Sequence, residues 1–133
     1  GANYDPSTTI LNLPYDISLF IAGTQDKASS VVGSFLATRK ISLPQNVPGS
    51  LAKCRTAPAQ NSTYAIQVNG VQKGTVAFVP GSMVGTITWT TGLNLNAGDF
   101  FDIVTPAQLD STLANVTISI VGVAAAPNGT LIP

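Results

Sequence analysis

Along this chain apolar and polar residues alternate with a period of two, and no segment holds a helical period long enough to make a helix. Turn residues interrupt the apolar runs roughly every 8–12 positions, the spacing of sandwiches and barrels. The clearest stretch is Ser62 to Val68, where Tyr64, Ile66 and Val68 fall on one side. Asn69-Gly70 follows, and both residues accept the left-handed backbone of a tight hairpin. The returning strand runs to Phe78 and turns Val76 and Phe78 inward.

The same pattern predicts the other strands. Tyr15 to Ala22 is the first, with Ile17, Leu19 and Ile21 on one face and Asp16, Ser18 and Phe20 on the other. An aromatic ring on the second face implies that this face too is partly covered. Val31 to Leu43 reads as one strand-like stretch, with Phe35 and Leu36 on opposite faces and Pro44 at its end. Ser50 to Thr56, Met83 to Thr90, Phe100 to Thr105 and Asn115 to Val121 follow. Ile87 and Trp89 share one face of the second of these, and Thr86, Thr88 and Thr90 the other. The expected fold is all-β: a single antiparallel β-sandwich of about eight strands, jelly-roll or immunoglobulin-like, over residues 15–122. Residues 1–14 read as an extended arm and 123–133 as a C-terminal tail.

Composition narrows the function. Charged residues make up 9% of the 133, six basic and six acidic, against ~25% in an ordinary soluble domain. So few charges give little colloidal repulsion, which fits a chain that lives in an assembly. The densest basic group, Arg39, Lys40, Lys53 and Arg55, reads as solvated strand positions, and nucleic acid is not an expected partner. No apolar run reaches the length of a membrane span, so no membrane partner is expected either.

Catalytic chemistry has little to work with. The chain has no His, and all six acids are Asp, so the Ser–His and Cys–His pairs and imidazole metal ligands are absent. Cys54 alternates with Lys53 and Arg55 and so points inward as an inert thiol. Asp99 with Asn94 and Asn96 is the best arrangement for calcium, but Asp and Asn are also ordinary turn formers. No catalytic residue, metal site or cofactor is expected. Trp89 and Tyr64 alternate inward, so no exposed aromatic cluster for a sugar is readable.

The run Leu13-Pro14-Tyr15-Asp16-Ile17-Ser18-Leu19-Phe20 resembles the opening of a β-domain found in bacteriophage virion proteins. Ile41-Ser42-Leu43-Pro44 with Gly49-Ser50, Ile66-Gln67-Val68-Asn69-Gly70 with Gly74-Thr75-Val76, and Gly98-Asp99-Phe100 are similar to the same domain in the same order. The closing run Leu113 to Ile120 fits as well, so the resemblance covers residues 13–122. It implies architecture and a place on the virion surface, and it carries over no site residue. The expectation is a non-enzymatic structural protein, a capsid decoration or tail component, that assembles with other virion proteins and with itself as a homo-oligomer. The alternative is a receptor-recognition or carbohydrate-binding module of a tail fibre, with a host-surface glycan as partner. Tyr4, Ile10, Leu11, Leu13, Tyr15, Phe20 and Phe35 are the candidate assembly residues.

Overall fold

The computed structural model describes residues 12–89 and 92–125. Among these there is no helix, and ten strands form one antiparallel sheet. They are β1 (Asn12–Ile21), β2 (Val31–Leu36), β3 (Ile41–Leu43), β4 (Leu51–Thr56), β5 (Ser62–Val68), β6 (Val71–Phe78), β7 (Val84–Trp89), β8 (Leu93–Leu95), β9 (Phe100–Val104) and β10 (Ala114–Ala125). The order is β2-β9-β5-β6-β7-β4-β10-β3-β8, with β1 also on β10.

Two strands organise this order. β10 has β1 along one whole edge, from the Asn12–Ala125 pair to the Ile21–Val116 pair. Its other edge is divided: Ala114 to Ser119 pairs with β4, and Val123 and Ala124 pair with β3. β7 divides itself lengthwise. Val84 and Gly85 pair with β4, whereas Thr86 to Trp89 pair with β6.

The hairpin predicted at Asn69-Gly70 is present. Both residues have positive φ, 50° and 83°, as a two-residue turn of this kind requires, and Val68 pairs with Val71 across it. The inward positions of β5 and β6 are also as expected, with Tyr64, Ile66, Val76 and Phe78 buried. Trp89 is fully buried and stacks on Phe101 with centroids 6.0 Å apart. Its ring lies over Gly74, where a Cβ would come within 2.6 Å of the indole and 2.7 Å of the Thr88 carbonyl. Only glycine fits there without displacing the tryptophan.

The strand count is a correction. The stretch 31–43 is two strands, because Ala37 leaves the β9 ladder to exchange backbone hydrogen bonds with Gly98 and Asp99. The chain then turns and re-enters the sheet as β3, between β10 and β8. β8 itself has only three residues, too few for an alternation to be read. The boundaries move as well: residues 12–14, read as arm, pair with 123–125, read as tail. The remainder of both segments lies outside the described residues.

Candidate functional site

Strand alternation places the site. Along β4, Ala52 and Cys54 are buried while Leu51, Lys53 and Arg55 face out. Register then aligns Phe20 of β1, Thr117 of β10, Lys53 of β4 and Val84 of β7 as one outward rank across four strands. The next rank is Ser18, Ser119 and Leu51, in which the two serine hydroxyls lie 3.0 Å apart. Phe20 is 60% exposed, Leu51 61%, Met83 54% and Val84 56%, so four large apolar side chains stand in water on one side of a small domain.

A groove of about 800 Å³ runs between β4, β10 and the start of β7, lined by Leu51, Lys53, Arg55, Met83, Val84 and Thr117 among others. It contains two cations and no carboxylate. Cys54 lines it from below, buried, with its thiol directed at the Ser82 carbonyl 3.7 Å away. Burial pushes this thiol up, which makes it a poor nucleophile. Arg39 and Lys40 do not join the basic side of the groove's strand: they lie between β2 and β3, and the Arg39 guanidinium sits 5.9 Å from the Tyr15 ring centroid.

The acids are occupied with structure. One Asp110 oxygen accepts from the Ala59 and Gln60 amides at 2.9 and 2.7 Å. The other accepts from the Thr112 and Leu113 amides and the Thr112 hydroxyl. These five donors, the Thr112 hydroxyl foremost, hold its carboxyl well below the usual range. The Asp99 carboxylate accepts from the Asn96 amide at 2.8 Å and the Asn69 Nδ2 at 3.0 Å, which lowers it too. Asn69 Oδ1 in turn accepts from the Phe100 amide, so this cluster ties the β5–β6 turn to the start of β9. Asn94 is elsewhere, on β8 opposite Ser42. Among the described residues no group of three or more His, Cys, Asp or Glu is placed to hold a metal.

No family model and no curated protein matches the chain.

The candidate assembly residues separate. Tyr4, Ile10 and Leu11 lie outside the described residues. Leu13 is in β1 opposite Ala124. Tyr15 and Phe35 are partly buried against the core and meet edge to face at 6.0 Å, on the inward side of β1. Phe20 alone of the described ones stands in the outward rank. Leu51, Met83 and Val84 were not singled out in the sequence, and the adjoining Lys53 was read only as a solvated strand position. Their signal was present at 51, 53 and 55, where the large residues alternate with Ala52 and Cys54.

Proposed function

We propose that this chain is a non-enzymatic structural component of a bacteriophage particle, a capsid decoration or tail protein, and that it acts through protein–protein assembly. The four exposed apolar side chains Phe20, Leu51, Met83 and Val84 on this outward side carry this reading. Large apolar side chains left exposed together on one side of a domain mark a surface that a partner covers. Low charge supports the same reading, as does the resemblance of residues 13–122 to virion β-domains. The exposed aromatic rings among the described residues are Phe20 and Phe100, while Trp89 and Tyr64 are buried. That favours assembly over sugar stacking.

The finer architecture proposed is a β-sandwich. It is supported by the way β7 passes the pairing from β4 to β6, and by the Tyr15–Phe35 contact between strands far apart in the order. The test of function is to purify virions of the phage encoding this sequence, then identify the chain by mass spectrometry and place it with antibodies against the domain. Its presence at stoichiometric level is the expected result. Absence from washed particles, or an activity abolished by Asp substitution, would sink the proposal.

A further inference from the structure

We infer that the Lys53/Arg55 groove takes a second copy of this chain, and that it takes it by the outward Leu36–Phe100–Asp102 patch. The inference rests on the assembly reading and names its partner.

The groove asks for an acid. Lys53 and Arg55 line it with no carboxylate, between apolar Leu51, Met83 and Val84. Against an identical groove, cations would meet cations, so a symmetric face-to-face dimer is disfavoured by its own charge. Asp16, the acid of β1, stands further along that outward face at the level of Val121 and does not line the groove.

β2 and β9 offer the complementary chemistry. Register sets Leu36 opposite Phe100 and Ser34 opposite Asp102, and all four lie on the outward side. Leu36 is 50% exposed and Phe100 48%. The Ser34 hydroxyl donates to Asp102 Oδ1, which fixes the carboxylate beside the apolar pair. Each surface therefore pairs exposed apolar side chains with charge, of opposite sign. β2 and β9 stand at one end of the strand order and β4 and β10 towards the other. The surfaces are distinct, and one molecule can use both at once. Such a contact is head to tail, which closes into a ring or extends into a filament.

Sedimentation equilibrium of the full chain over a concentration series reads the outcome. Species heavier than the 13.6 kDa monomer are expected, weakening as salt is raised. Lys53→Asp and Asp102→Lys should each weaken association at least tenfold, and the chain carrying both should associate like the parent. Circular dichroism confirms the fold of each variant. If Asp102→Lys loses it, Leu36→Ser and Arg55→Asp test the two surfaces separately, each again by a tenfold loss. A parent chain that stays monomeric throughout overturns the inference, as does association untouched by the reversals or unrestored by their combination. A monomeric chain still found in virions would leave the assembly reading standing. A self-associating chain missing from virions would do the opposite.

Discussion

The outward side of β5, β6 and β7 and the outward side of β1, β10 and β4 have the same pleat and equally buried inner sides, yet opposite surfaces. The first carries Thr63, Ala65, Thr75, Ala77, Thr86 and Thr88, in cross-strand pairs such as Thr75–Thr88 and Ala77–Thr86. These are short side chains that satisfy the sheet and leave it smooth. The second carries Phe20, Leu51 and Lys53, and Val84 joins it from the end of β7 that pairs with β4 instead of β6. Folding does not require that choice, because the threonine side shows that this sheet is content with small polar residues. The difference teaches that the exposed apolar residues are a choice the fold does not dictate, which is what the proposed assembly role draws on. The inner sides differ in kind as well: beneath the threonine side lie the rings of Trp89, Tyr64 and Phe78, whereas beneath the apolar side lie the aliphatic Ile17, Val116, Ile118 and Ile120 with the smaller Ala52 and Cys54.

The comparison breaks first if the Trp89 layer is not what holds the threonine side. Trp89→Ala should cost about 3–5 kcal/mol in urea unfolding. Gly74→Ala, which drives a methyl into the indole, should cost about 1–3 kcal/mol. Because both act on one contact, the double variant should lose less than the sum. Asp110 comes next. Asp110→Ala strands the amides of Ala59, Gln60, Thr112 and Leu113 and should lower the melting temperature more than any outward substitution. Its folded carboxyl titrates below its unfolded value, so its contribution is present above roughly pH 4 and is lost as pH falls below that. Asp110→Asn should flatten this acid limb.

Tyr64 gives the alkaline counterpart. Burial, with a lesser contribution from Cys54, pushes its phenol from 10.0 up to about 12. The unfolded chain ionises first, so stability should fall as pH rises from about 10 to 12, and Tyr64→Phe should remove that fall. The smallest stability change belongs to the apolar rank. Phe20→Ser should shift unfolding by no more than about 0.5 kcal/mol while raising solubility. An equal stability loss from Phe20→Ser and Trp89→Ala would erase the distinction between the two sides.

Much of this was legible in the sequence, and particular residues show why. The hairpin at Asn69-Gly70 was readable because its turn chemistry is local. Tyr64, Ile66 and Phe78 were readable because strict alternation leaves one choice of inner face. The division of residues 31–43 was not, since it depends on Ala37 bonding to residues some sixty positions away. Residues 12–14 and 123–125 hid for the same reason: Pro14 and the small residues near Ala124 look like loop until they are set against each other. Asn46 is another such case. It exchanges hydrogen bonds with the Trp89 backbone, and no spacing rule would have joined them. The outward rank needed register across four strands, although its β4 members were plain in the alternation.

The Asn12–Ala125 pair has a mechanical consequence. β1 and β10 are antiparallel and zipped along ten residue pairs, so the two ends of the described chain lie side by side. A pull applied between them would load one rung at a time, and the ladder would peel from the Asn12 end instead of resisting as a whole. Sliding the same strands lengthwise past each other would instead strain all ten rungs together. A domain wired this way is weak as a link in a taut chain and strong as a tile. Load on such a domain is best borne across its broad outward surfaces.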